Sequence, residues 1–319
     1  MSQRPTTKHD IQRDELNTTR PTFADITNLI VSGSMTMSYQ GIDLGTGQVI
    51  LFAGYDNPGG RLTLSSGNPV PSVNTTGTRV YYTNYINNSI MLWNSGTSNW
   101  DTYLFAEPFL DIGSMTSGTG QDVFAYPSGT TVVLEKTAWT NSSSRATGVS
   151  YQDGRLCKTG DKTRRLVGSF MPSSTTLTED STGKRFLWNM YNRRERNVVK
   201  ENGTSHNYNS ATVRPFNNDA ANSQIEFFVG LIEDAVNLYL TGQGSRVATD
   251  GNPRISMSTI NSLITENSAY GWAIGNGLAG RVRGGSSASD LLPLLGYNAV
   301  CMLEASSSGT PPGASIADR

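Results

Sequence analysis

The stretch Gly275-Asn276-Gly277-Leu278-Ala279-Gly280 matches G-x-G-x-x-G. In that spacing a glycine turn lets the backbone approach a dinucleotide pyrophosphate. The chemistry needs a strand before the turn, a helix after it and an acid about 20 residues on. Here RVRGGSSASD follows, a poor helix former, and the first acid downstream is Asp290, which is too close. The glycines therefore read as a loop between strands. The only histidines are His9, in a polar N-terminal arm, and His206, in the loop NGTSHNYN. His206 is expected to be a solvated loop residue, and no Ser-His-Asp system can be assembled. The chain has no His-x-x-His, cysteine cluster or D-x-[DN]-x-[DN]-G loop to hold a metal. Asp250-Gly251-Asn252-Pro253 is a turn by composition.

Glycoside hydrolysis needs only two suitably spaced carboxylates. Glu107, Asp111, Glu179 and Asp180 are the acids nearest the ends of predicted strands, and nothing singles them out among 26 acids. Trp93, Trp100, Tyr103 and Phe105 could form a sugar-stacking face. Their alternation more simply places half in a core and half at a subunit contact. The densest basic stretch is Arg193-Arg194-Glu195-Arg196, with Lys184, Arg185 and Lys200 nearby. It reads as an ion-pairing strand end or a subunit interface, with phosphate binding as the alternative. No catalytic, cofactor-binding or metal-binding residue is expected.

These residues must be carried by strands. Charged residues make up 16% of 319, against a typical ~25%. Ser, Thr, Asn and 33 glycines fill the difference. They suit turns and solvent-facing strand positions better than helix interiors. A net charge of -1 excludes the basic footprint of a dedicated nucleic-acid binder. Cys157 and Cys301 form no C-x-x-C pair and read as reduced, buried thiols. No secretory signal is visible, and no apolar run reaches the ~18–20 residues of a membrane span. N-x-[ST] matches at Asn17, Asn74, Asn87, Asn141 and Asn202 are expected by chance in so Asn- and Ser-rich a chain.

Residues 1–54 read as an arm, with one weak helical turn near Asp10–Leu16, followed by an apolar docking segment. Residues 55–305 read as a β-rich body: one large antiparallel sandwich or jelly roll, or two smaller ones divided near residue 145. Predicted strands include Arg79–Tyr85, Ser89–Trp93, Trp100–Ala106, Arg164–Met171, Arg185–Tyr191, Ile225–Leu231, Ala235–Leu240, Tyr270–Ile274 and Asn298–Leu303. Asp122–Tyr126 and Thr131–Glu135 read as a hairpin around Pro127-Ser128-Gly129. The helix candidates are Thr259–Glu266 and Ser287–Leu295, the second truncated by Pro293. Residues 306–319 read as a flexible tail.

Read in order, several phrases form one pattern: RLTLSSGNPV, VYYTNYINNSIMLWN, WDTYLFAEPFLDI, DVFAYPSGTTVVLE, AWTNSSSRATGVSYQDGRLCKTGDKTRRLVGSF and TEDSTGKRFLWNMYNRRER. The series resembles a group of tailed-bacteriophage structural proteins, of tail-fibre or head-decoration type. The group runs as "RLTLTSG.PV", "YYTPY.GN.I.LY", "FAE", "DVFAY", "AW.....RAT", "DG..VK.G...RRYLG" and "TEDS..KRF.WN.YNR". The match covers roughly residues 58–240, and LLGYNAVCMLEASSSGT resembles the usual ending. Cys157 stands where the group has Val, and the arm has no counterpart.

The resemblance implies a non-enzymatic virion surface protein, made in the bacterial host cytoplasm. Its arm would join a tail adaptor or capsid subunits, and its body would assemble as a homo-oligomer, a trimer if fibre-like. The body would face the host surface, with a host glycan as an additional partner. A tail fibre or spike is the first expectation. Capsid decoration is the alternative, because no repetitive shaft is visible. A glycan-degrading tailspike would need a rung-like repeat, and none is found.

Overall fold

In the computed structural model, residues 36–38, 41–43, 49–50, 58–233, 235–245, 252–273 and 281–307 are described. The chain divides into two compact units, Met1–Asp56 and Asn57–Arg319. In the first, β1 (Thr36–Ser38), β2 (Gly41–Asp43) and β3 (Val49–Ile50) form an antiparallel sheet. The expected turn near Asp10–Leu16, the GxGxxG glycines, Asp250 and residues 308–319 of the tail lie outside the described residues.

The second unit opens with β4 (Gly60–Thr63), β5 (Thr75–Gly77) and β6 (Arg79–Asn84). The hairpin β7 (Ser89–Asn94) and β8 (Asn99–Leu104) follows, and then β9 (Phe109–Asp111). Period-two alternation decides which side chains go inward: Val80 and Tyr82 on β6 and Ile90 and Leu92 on β7 are all buried. Next come β10 (Gln121–Ser128), β11 (Thr131–Ala138), β12 (Val149–Gln152), β13 (Arg155–Lys158) and β14 (Asp161–Phe170). After β15 (Thr178–Asp180) and β16 (Lys184–Arg185), β17 (Leu187–Asn189) returns to pair with β14. The six-stranded sheet so formed is ordered β11-β10-β14-β13-β12, with β17 on β14.

This sheet is apolar on both faces. Val123, Ala125, Val167 and Phe170 join the cluster built by β4, β6 and β7, around Leu62, Tyr82 and Leu92. Phe124 and Leu166 point the other way, into a cluster with Trp139, Trp188 and Phe228. Burial on both faces explains why DVFAY and LVGSFM are near-continuous apolar runs instead of alternating ones. Between Val123 and Phe124 the β10–β14 register shifts. Gly168 lies at this point, where a Cβ would stand 2.4 Å from Trp188 O and 2.6 Å from a Leu62 methyl. Only glycine permits so close an approach.

Beyond a long irregular segment come β18 (Arg214–Pro215), a 3-10 turn over Phe216–Asn218 and a short helix, α1 (Ala220–Ser223). The remaining strands are β19 (Gln224–Val229), β20 (Val236–Ser245), β21 (Asn252–Ser258), β22 (Glu266–Ala273), β23 (Arg281–Leu291) and β24 (Gly296–Ser307). A second large sheet is ordered β22-β21-β24-β19-β16-β15-β5, and β20 and β23 form a separate ribbon. Leu238, Leu240, Ile255, Met257 and Val300 make a third core cluster. The protein is all-β, sandwich-like and built from antiparallel sheets, with one parallel pair among the described strands, β16 with β19.

Several boundaries differ from expectation. Thr259–Glu266 is not a helix: residues 259–265 turn between β21 and β22, and Glu266 opens β22. Asn261 adopts φ 61, which a helix excludes, and its side chain and backbone both bond to Ala299. Ser287–Leu295 is not helical either: β23 runs through Leu291, its backbone groups satisfied by the ladder with β20. The Arg185–Tyr191 strand is split, because Phe186 N bonds sideways to Glu179 O. The 121–138 hairpin is tighter than expected, with Ser128 opposite Thr131 and Gly129 at φ 62. Pro127 sits in the strand, past the end of the β14 ladder, where its missing N–H costs nothing. The glycosylation-like matches have a local use: the Asn87, Asn141 and Asn202 side chains accept from backbone N–H groups two residues on, closing Asx turns.

Both cysteines are free and buried, Cys157 at 0% and Cys301 at 1% exposure. Burial pushes each thiol up to about 11. A thiol that ionises near 9 once unfolded therefore favours the folded state below pH 9, and this contribution is lost as pH rises towards 11. Neither thiol should react with a disulfide reagent at pH 8 until the body unfolds. Labelling that precedes the loss of β-sheet circular dichroism would show that the thiols are reachable in the native state.

Candidate functional site

The four singled-out acids each have a structural partner. Glu107 accepts from Ser66 Oγ at 2.6 Å, from Gly67 N at 2.7 Å and from Thr83 Oγ1. Partial burial works to raise its pKa, but these three bonds outweigh it and hold the carboxyl below the usual range. It fixes the 65–68 turn. Asp111 pairs with Arg79 at 2.7 Å on the exposed edge of β9. Glu179 accepts from Ser181 Oγ at 2.6 Å. Asp180 is buried between Arg185, at 3.0 Å, and Arg196, at 3.3 Å.

The aromatic row divides as its alternation suggests on one side only. Phe105 is buried against Tyr82, with ring centroids 4.8 Å apart, and Tyr103 packs on the same core. Trp93 and Trp100 are directly opposite across the β7–β8 hairpin, edge to face at 5.6 Å. Cations of the same chain cover them: Lys162 lies 4.7 Å from the Trp93 ring centroid and Arg155 lies 4.4 Å from that of Trp100. Trp100 Nε1 also donates to Asp153 at 3.1 Å. Each indole thus has one face occupied.

His206 is a correction. It is not a solvated loop residue: its Nε2 meets the buried Glu304 carboxylate, and its ring stands edge-on to Phe216 at 4.7 Å. Glu304 also holds Arg214 at 2.8 Å and accepts from Asn217 N. One buried carboxylate on β24 therefore needs several donors, and the irregular segment between β17 and β18 supplies His206 among them. Further ties hold that segment along its length, including Arg193 to Glu233 at 2.6 Å and Asn202 to Ser223 at 3.0 Å.

The basic stretch lies on the same segment. Lys184 and Arg185 leave from β16 and pair with Glu226 and Asp180, while Arg193 also lies over the Trp188 ring. Arg194 is exposed, with no hydrogen bond or ion pair among the described residues. Between this segment and the sheets lies a cavity of about 1520 Å³. Its lining runs from Arg61, Arg194 and Arg196 to apolar side chains of the third core, such as Leu240 and Ile255.

Arg61, on β4, was not singled out in the sequence. The available signal was a lone cation in the apolar phrase RLTL. It is 6% exposed; its Nη1 donates to Asn192 O, and its Nε is buried with no partner among the described residues. Burial, and then the neighbouring Arg196, lower its pKa to about 10, although Asp180 opposes the shift.

Among the described residues, no group of three or more His, Cys, Asp or Glu side chains comes together as a metal site, and no helix is long and apolar enough to cross a membrane. Fold and cavity together define an all-β, sandwich-like protein with an arginine-edged, part-polar and part-apolar cavity under an irregular strap. No protein-family model, curated protein or solved structure matches the chain.

Proposed function

We propose that this chain is a structural protein of a tailed-phage virion, of tail-fibre or spike type. Its N-terminal unit joins the particle and its β body meets the host surface. One observation carries the reading: the phrases that resemble the virion group coincide with the elements that build the two main cores. RLT ends β4, DVFAY lies in β10, RRLVGSF ends β14 and FLWN brackets β17. Those phrases supply Leu62, Val123, Phe124, Leu166, Phe170 and Trp188 to the clusters. The likeness is thus to the frame of a fold, not to scattered surface residues. The division after Asp56 suits an anchor followed by a projecting body.

Capsid decoration is the second reading. It is favoured by the strand order of the body, which shows no repeating rung among the described residues.

Two measurements test the proposal. Electron microscopy of particles labelled with an antibody against residues 150–240 should place the label on the tail. Label spread over the head selects the decoration reading, and unlabelled particles reject both. A chain lacking residues 1–40 should fold, oligomerise as the full chain does, and fail to join particles. A truncated chain that still assembles into particles would remove the anchoring role.

A further inference from the structure

We propose that the cavity beneath the 193–209 segment binds an acidic saccharide, seating its carboxylate or phosphate group on Arg61 together with Arg194 and Arg196. Arg61 is the centre of the argument. It is more than nine-tenths buried and lines the cavity, and its Nε, itself sealed from solvent, has no acceptor among the described residues. A guanidinium removed from water is strongly unfavourable unless its donors and charge are matched. The lowered pKa of Arg61 is consistent with that imbalance.

Charge points the same way. Arg61, Arg185, Arg194 and Arg196 line the cavity, while the buried carboxylate among them, Asp180, already binds Arg185 and Arg196. Glu195, Glu201 and Glu304 line the cavity as well, Glu304 already held by His206 and Arg214, and the cations still outnumber these carboxylates. Planar guanidiniums suit carboxylate and phosphate oxygens, which they bind in paired hydrogen bonds.

The rest of the wall indicates what carries the anion. Asn197, Thr204, Ser205 and Asn207 offer amides and hydroxyls, which can both donate to and accept from sugar hydroxyls. At about 1520 Å³ the space exceeds the ~300–1,000 Å³ of an ordinary small-molecule site and leaves room for several sugar units. The choice of a saccharide rests on the host-contact reading above; the anion seat does not.

Calorimetric titration of the full chain tests the proposal with three probes: trigalacturonate, a phosphorylated maltotriose and the carboxyl-reduced trisaccharide. At least one acidic probe should bind, and the one that binds more tightly identifies the source of the anion. The reduced trisaccharide should not bind. Arg61→Gln and Arg194→Gln should each weaken binding about tenfold, the loss of one charge-assisted contact. Arg194 is exposed, so Arg194→Gln keeps the test valid should Arg61→Gln fold poorly. Equal binding of the reduced trisaccharide, unchanged affinity in folded variants, or no binding by the natural chain would overturn the proposal. Particle labelling is independent of this titration, so failure of the virion reading and failure of the cavity reading are separable.

Discussion

Asp122→Ala lowers the unfolding free energy of the body by about 3–5 kcal/mol, the loss typical when one partner of a buried ion pair is removed. Asp122 is 1% exposed and holds Arg145 through both oxygens, at 2.7 and 3.0 Å. It also accepts from Ser169 Oγ at 2.7 Å. Arg145 goes on to Gly230 O and lies over the Trp139 ring, 4.5 Å from its centroid. Without the carboxylate, Arg145 keeps its charge in a site where its side chain is 9% exposed. The double variant Asp122→Leu with Arg145→Met should lose much less, because neither half of the pair is then stranded. Urea unfolding of the three proteins measures this. A single-variant loss under about 1 kcal/mol, the worth of an exposed pair, would mean that Arg145 escapes to solvent.

Phe170→Ala is expected to cost a similar ~3–5 kcal/mol, the range for emptying a large aromatic site in a packed core. Phe170 is fully buried at the end of β14, opposite Gln121 on β10 and Leu187 on β17. It belongs to the cluster that joins the central sheet to β4, β6 and β7. Phe170→Leu, which leaves a smaller void, should fall between the natural chain and the alanine variant. Should alanine and leucine prove equally destabilising, the cost would lie in the backbone ladder and not in the cavity. The unfolding midpoint in urea, read at constant slope, separates the two.

The strands that were legible in the sequence are those whose side chains make the core. VYYTNY, SIMLW, DVFAY and IEFFVGL concentrate aromatic and β-branched residues between turn signals, and each forms a strand. β23 was not legible. Its RVRGGSSASDL composition carries little apolar signal, and its ladder with β20 joins segments far apart in sequence. The β12–β13 turn was readable but passed over: Asp153-Gly154, both at positive φ, is the expected pair for a two-residue hairpin.

At the site, the arginines of 193–196 stood out as a charge run, but the burial of Arg61 did not. Burial there depends on β4 being covered by Asn192 and by Asn189. The Asn189 side chain bonds both Leu62 N and Leu62 O like a neighbouring strand. His206 was misread for a related reason. Its partner Glu304 is 98 residues away, and local composition says nothing about such a contact.

The position of β24 has a consequence for synthesis. This strand lies between β19 and β21, takes β18 as well, and carries the Glu304 carboxylate that gathers His206 and Arg214. A chain growing from its N-terminus can close the first core once β17 has emerged. The eight-stranded sheet and the strap cannot close until residues 296–307 have been made. Until then β19 and β21 present open edges, the condition in which strands pair with the wrong neighbour. Late completion of this sheet makes the nascent chain depend on rapid closure by β24, so lesions in 296–307 should deplete soluble protein more severely than their effect on the finished fold would suggest.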